Sequence, residues 1–207
     1  MPKPVVVVDY GAGNLRSAAK ALEAAGGAVT VSGDPAVVAN SERIVLPGVG
    51  AFAQCVGALR GRSGLEVALR QAVLERGVPF LGVCVGMQLL ADEGHEHGVH
   101  AGLGWLPGIV KRLTLADPAL KIPHMGWNEV LETTPHPVLP SLAGTGYFVH
   151  SYRFEVSNPA HCLATTDHGG VFASVVGRDN ILGVQFHPEK SQAYGLGFLA
   201  GFLTWRP

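Results

Sequence analysis

The chain has 207 residues, 47% of them hydrophobic and 15% charged, with a formal net charge of −1. That length suits one large α/β domain over 1–207 and fits two full domains poorly. The near-neutral balance excludes a disordered or supercharged chain and gives no basic surface for nucleic acid or an anionic membrane.

The apolar run Val5–Val8 is too short for a secretory signal and ends in Asp9, and no stretch approaches the length of a membrane span. Val5–Val8 reads as a strand buried in a parallel sheet. Gly11-Ala12-Gly13 turns the chain, and Asn14 can cap a helix through Leu15, Ala18, Ala19 and Leu22, ended by Gly26-Gly27. Strands are predicted over Val29–Val31 and Ile44–Leu46, the latter stopped by Pro47-Gly48. A helix runs through Leu65, Leu69, Val73 and Leu74 to about Gly77. A strand over Phe80–Val83 enters a turn at Cys84, and Gly86–Ala91 begins another helix. This alternation predicts an open, mostly parallel α/β sheet in three layers, with helices on both faces. From about Gly104 to Phe186 short β-rich runs lie between Pro and Gly: Ile109–Leu115, Tyr147–Phe154, Val171–Val176 and Ile181–Gln185. These predict antiparallel strands at one edge. A short helix closes the chain over Gly195–Trp205.

The three cysteines, Cys55, Cys84 and Cys162, form neither a disulfide framework nor a zinc motif, which points to a reduced, cytoplasmic protein. Only one has a reactive setting. Gly82-Val83-Cys84-Val85-Gly86 is a nucleophile elbow, glycine–x–nucleophile–x–glycine, with Cys in place of Ser. The glycines leave room where a sharp strand-to-helix turn folds back. The following helix aims free N–H groups at the sulfur and favours the thiolate. The N–H of Val85 is then an oxyanion donor. A free cysteine is often only a small buried hydrophobe, and that reading holds for Cys55 and Cys162.

A thiol nucleophile needs a base, and the base an orienting group. Of nine histidines, His187 stands out in Gly183-Val184-Gln185-Phe186-His187-Pro188-Glu189, at a strand end where α/β sites lie. Two residues apart in an extended segment, His187 and Glu189 can point the same way. A lone His-Pro-Glu is more often an exposed turn; its pairing with the elbow favours the catalytic reading.

Together these segments resemble the class I glutamine amidotransferases. More narrowly, the chain is similar to the glutaminase subunits of imidazole glycerol phosphate synthase. The blocks that narrow it are Asp9–Ser17, Pro47–Phe52, Pro123-His124-Met125-Gly126-Trp127-Asn128, Tyr147–Tyr152 and His187–Ser191, in family order across almost the whole chain. The resemblance implies a glutaminase that hydrolyses L-glutamine through Cys84, His187 and Glu189, without metal or cofactor. It implies a heterodimer with a cyclase subunit that takes the ammonia to make imidazole glycerol phosphate and AICAR in histidine biosynthesis. Gly48, Val49 and Gly50 match the oxyanion strand, where a glycine-rich turn can present backbone N–H groups. Gln88, Glu96, His150, Ser151 and Tyr152 match the glutamine pocket, and Asn14, Trp127, Asn128, Tyr147 and Lys190 the partner-facing surface. Taken singly, Gly48–Gly50 is an ordinary strand-ending turn, His150 a core histidine, and the aromatics core or surface residues.

Other readings are weaker. The third glycine of a dinucleotide fingerprint is replaced by Arg16. His95, His97 and His100 sit in a polar loop rather than a metal motif. A stand-alone cysteine amidase, a glutaminase of another amidotransferase pathway, and a non-catalytic binding or chaperone protein remain as alternatives.

Overall fold

The computed structural model describes residues 2–140 and 144–207; Met1 and residues 141–143, which fall in the domain expected over 1–207, lie outside the described residues. The chain opens with strand β1 (Lys3–Val8), helix α1 (Leu15–Ala24), strand β2 (Gly27–Ser32), helix α2 (Pro35–Ala39), strand β3 (Ile44–Gly48), helix α3 (Phe52–Gly61) and helix α4 (Leu65–Arg70). Strand β4 (Phe80–Cys84), helix α5 (Val85–Gln88) and strands β5 (Glu93–Gly94), β6 (His100–Ala101), β7 (Gly108–Arg112) and β8 (His124–Glu132) follow. Strands β9 (Gly144–His150), β10 (Tyr152–Val156), β11 (Cys162–Asp167), β12 (Val171–Arg178) and β13 (Ile181–Val184) lead to helix α6 (Gln192–Thr204).

A nine-stranded sheet has the order β2-β1-β3-β4-β13-β12-β11-β8-β9. Its first five strands are mutually parallel, and every pairing from β13 to β9 is antiparallel. The parallel strands β3 and β4 are buried along their whole length, as unalternated apolar runs require. From β1 the chain crosses outward to β2 and then back past β1 to β3, so opposite crossovers put α1 and α2 on opposite faces. Helix α1 packs with α6, and α2 and α3 pack with α4. The expected three-layer α/β sheet with an antiparallel edge is therefore present.

Several local expectations need correction. Strand β3 does not stop before Pro47; it continues through Pro47 to Gly48, beside Val83 and Cys84 of β4. The helix expected over Gly86–Ala91 is the single turn α5. The carbonyls that would extend it instead accept from loop N–H groups: Leu89 O from Leu103, Leu90 O from Trp105, and Ala91 O from Gly104. The run Tyr147–Phe154 breaks at Ser151, leaving β9 in the large sheet and β10 in a second sheet of order β10-β7-β5-β6 that was not expected. Helices α2 and α3 were not expected either. The helix expected to end near Gly77 is α4 continued by a π-helical turn, Gln71–Glu75.

Candidate active site

Sheet register assembles the site. Gly48 of β3 lies beside Cys84 of β4, and Val83 of β4 beside Val184 of β13. Three adjacent parallel strands therefore end together, carrying the glycine-rich turn, the elbow cysteine and the segment that leads to His187. This is the carboxyl edge of the strands, where open α/β sheets hold ligands.

Cys84 has φ 55° and ψ −113°, a conformation uncommon for a residue with a side chain. Its strain is held by close backbone packing. A Cβ on Gly86 would collide with the Leu46 carbonyl oxygen, and one on Gly82 with the Gly86 carbonyl oxygen. One on Gly48 would lie 2.6 Å from the Gly86 nitrogen. The elbow thus needs its glycines because two strands and a helical turn meet there. Val85 opens the turn, so its N–H has no partner within the helix.

The side chains of His187 and Glu189 are both buried, and His187 Nδ1 meets Glu189 Oε1 at 2.8 Å. His187 Nε2 is buried and has no hydrogen-bond partner of normal geometry among the described residues. Burial pushes the imidazolium pKa down, but Cys84 and Glu189 outweigh it and raise it to about 9. At neutral pH this favours an imidazolium next to sulfur, held by a carboxylate on its far side. The Ser191 hydroxyl donates to the His187 carbonyl at 2.6 Å and accepts from the Tyr147 N–H at 2.9 Å, fixing the turn against β9.

Cys84 and His187 open onto a cleft of about 490 Å³, also lined by Val49, Gly50, Val85, Gln88, Glu96, His150, Ser151, Tyr152 and Lys190. The residues expected for the oxyanion turn and the glutamine pocket converge here, apart from Gly48, which packs behind the elbow. The Val49 carbonyl accepts from Cys55 Sγ at 3.3 Å, so the Gly50 N–H, on the opposite edge of that trans peptide, points away from the core. Glu96 has a second duty: its Oε2 accepts from the Phe52 N–H at 2.7 Å, capping α3, whose own N-cap, Ala51, has no side-chain acceptor. His150 is a hydrogen-bonded histidine as well as a lining residue. Its Nδ1 faces the Tyr152 carbonyl at 2.8 Å, and burial lowers its pKa to about 4.

The expected partner-facing residues divide. Trp127 and Tyr147 pair across β8 and β9 edge-to-face at 5.7 Å, and Lys190 Nζ stands 5.7 Å over the Tyr147 ring. Trp127 is 47% exposed and Met125, on the same strand face, 63% exposed. Asn128 points the other way, its Nδ2 donating to the Asp167 carbonyl at 2.8 Å and lying 3.2 Å from His124 Nε2. Asn14 is exposed and caps α1 by accepting from the Ser17 N–H at 3.4 Å.

Sequence reasoning missed two residues. Arg112, from the second sheet, lines the cleft; no local signal placed it there. Gln185 is fully buried, with Nε2 3.7 Å from Cys84 Sγ. It stands two residues before His187, so strand alternation could have flagged it. Of the loop histidines, His95 Nε2 meets Glu93 Oε1 at 2.7 Å. Among the described residues no helix is long and apolar enough to cross a membrane.

An elbow cysteine, a carboxylate-held histidine and an adjoining glycine-rich turn thus meet at one cleft on the carboxyl edge of an open α/β sheet. The sequence profile of Glutamine amidotransferase class-I matches residues 6–202, and the chain belongs to that family. Within it the chain belongs with the HisH glutaminase subunits of imidazole glycerol phosphate synthase. "Imidazole glycerol phosphate synthase subunit HisH" of Zymomonas mobilis subsp. mobilis is 57% identical over 207 residues, covering 98% of this chain and 96% of that protein. The protein of the same name from Rhodospirillum rubrum is 53% identical, covering 98% and 99%. Among solved structures, a glutamine amidotransferase superposes with TM-score 0.73 at 21% identity, covering 95% of this chain and 98% of that one. PurLQS from Thermotoga maritima gives TM-score 0.72 at 20% identity, covering 98% and 95%; at such identities the likeness speaks for the fold.

Proposed function

We propose that the chain, as one glutamine amidotransferase domain over 1–207, is the glutaminase subunit of imidazole glycerol phosphate synthase and works through Cys84, His187 and Glu189. The Cys84 thiolate attacks the side-chain amide carbon of L-glutamine. The developing oxyanion is held by backbone N–H groups of Val85 and the Gly48–Gly50 turn. His187 gives its proton to the leaving nitrogen, the C–N bond breaks, and ammonia departs from a γ-glutamyl thioester. His187, now neutral, takes a proton from water, whose attack cleaves the C–S bond and releases glutamate. Glu189 orients the imidazole and stabilises its charged form. This chemistry calls for neither metal nor cofactor.

The observation that carries the reading is the buried His187, held by Glu189 on Nδ1 with an unpartnered Nε2 and charge-coupled to Cys84, in a chain of this family. In the pocket, Glu96 takes the substrate ammonium, Gln88 lines the amide end, and His150, Ser151 and Tyr152 line the α-carbon end. Asn14, Trp127, Tyr147 and Lys190 face a cyclase subunit, to which ammonia passes for synthesis of imidazole glycerol phosphate and AICAR in the cytoplasm. Exposed Trp127 and Met125 supply the apolar centre that such an interface needs.

The test mixes the purified chain with the cyclase subunit and its phosphoribosyl formimino acceptor and follows glutamate release from glutamine. Strong stimulation by the full mixture is expected. Equal turnover by the chain alone would instead support a stand-alone cysteine amidase.

A further inference from the structure

The Tyr152 carbonyl can only accept hydrogen bonds, and it accepts two. One comes from Gln88 Nε2 at 3.2 Å and the other from His150 Nδ1 at 2.8 Å. The first fixes the Gln88 amide, because the atom facing a carbonyl must be its nitrogen. The second hydrogen on that nitrogen goes to Gln185 Oε1 at 2.9 Å. Gln185 must therefore turn its own Nε2 the other way, and there it meets Cys84 Sγ at 3.7 Å, within reach of an N–H···S bond. No flip of either amide preserves these contacts, so the direction of donation is set by a backbone atom.

The same logic fixes the histidines behind it. His150 donates through Nδ1, so neutral His150 accepts at Nε2 from His124 Nδ1, 3.1 Å away. His124 then accepts at Nε2 from Asn128. Burial keeps both imidazoles neutral, at about 3 for His124 and about 4 for His150, so the pattern of donors does not scramble near neutral pH.

We propose that Gln185 belongs to the catalytic centre: its Nε2–H donates to the Cys84 thiolate and aims the sulfur, in an orientation dictated from the Tyr152 carbonyl through Gln88. The inference rests on Cys84 being the nucleophile. Gln185 stands just past the end of β13, two residues before His187, in the bend that carries the chain from the strand to the His187 turn. Gln185 carries no proton to or from the substrate. It holds negative charge on sulfur by a hydrogen bond that is stronger to a thiolate than to a thiol. Gln185 lies beneath the cleft and is not among its lining residues, so its loss acts on reactivity and not on substrate contact.

The test compares iodoacetamide alkylation of Cys84 from about pH 6 to about pH 10, read by mass spectrometry of its peptide, in the native chain, Gln185→Met and Gln185→Glu. Gln185→Met removes the donor at similar volume. Gln185→Glu keeps an acceptor for Gln88, which preserves the local fold, and replaces the donor with an oxygen. In both variants Cys84 alkylation near pH 7 is expected to slow about tenfold, with the rate profile moved to higher pH and the high-pH rates converging. With the partner subunit, kcat for glutamate release falls and KM does not. Superimposable alkylation profiles in a folded variant would overturn the role of Gln185 and leave the nucleophile reading intact. Native Cys84 no more reactive than Cys162 across the range would overturn that reading, and this inference with it.

Discussion

The parallel and antiparallel halves of the large sheet hold their share of the site by different means. In the parallel half, β3, β4 and β13 place the elbow, the glycine-rich turn and the His187 segment by register and by backbone contacts that admit no Cβ. In the antiparallel half, β8 and β9 shape the cleft through side chains: a His124–His150–Asn128 network on one face and the Trp127–Tyr147 pair on the other. Backbone packing tolerates almost no substitution but leaves nothing to adjust. Side-chain networks tolerate some, and they connect the cleft to an exposed surface. The two meet where the His187 N–H donates to the Tyr147 carbonyl at 2.9 Å, joining the proposed base to the proposed partner face.

That contrast predicts unequal sensitivity. Gly86→Ala in the parallel half sets a methyl against the Leu46 carbonyl oxygen, and a destabilisation of more than about 3 kcal/mol is expected in thermal or urea unfolding. A stable, active Gly86→Ala would mean the elbow is less rigidly held than its packing implies. In the antiparallel half, His124→Phe keeps a ring stacked between Phe148 and His168 but leaves His150 Nε2 without its donor and takes from Asn128 one contact, its bond to the Asp167 carbonyl remaining. A loss of about 1–3 kcal/mol is expected, with the fold retained.

The pH dependence sharpens the comparison further. The His187 pKa is raised from 6.5 to about 9, so its protonated form contributes stability fully below pH 6.5, and that contribution is lost as pH rises through about 9. Glutamate release by the complex should accordingly fall about tenfold per pH unit above that point. The buried histidines of the other half, lowered to about 3 and about 4, should leave the profile flat between pH 6 and 8.

The same division explains what the sequence disclosed. Strained or fully buried backbone leaves local marks: Gly82 and Gly86 around Cys84, the unbroken apolar run of β4, and the Pro that separates His187 from Glu189. These placed the sheet and pointed to the proposed nucleophile and base. Features made by distant partners left none. The capping of α3 by Glu96 crosses from the loop between β5 and β6, and α5 stops after one turn where residues 103–105 bond the carbonyls of Leu89, Leu90 and Ala91 that follow it. The break at Ser151, which sends β10 to a second sheet, follows from pairing with β7. Asn128 was expected at the partner surface from the resemblance alone; strand alternation turns its side chain away from that of Trp127, to the Asp167 carbonyl and His124.

The most direct test of the account is acid quenching of the complex during turnover, followed by mass spectrometry of its cysteine peptides. A γ-glutamyl group carried on the Cys84 peptide, absent from Cys55 and Cys162 and absent without glutamine, is the predicted result. Steady glutamate release with no adduct at Cys84, or release that survives Cys84→Ala in a folded chain, would contradict it.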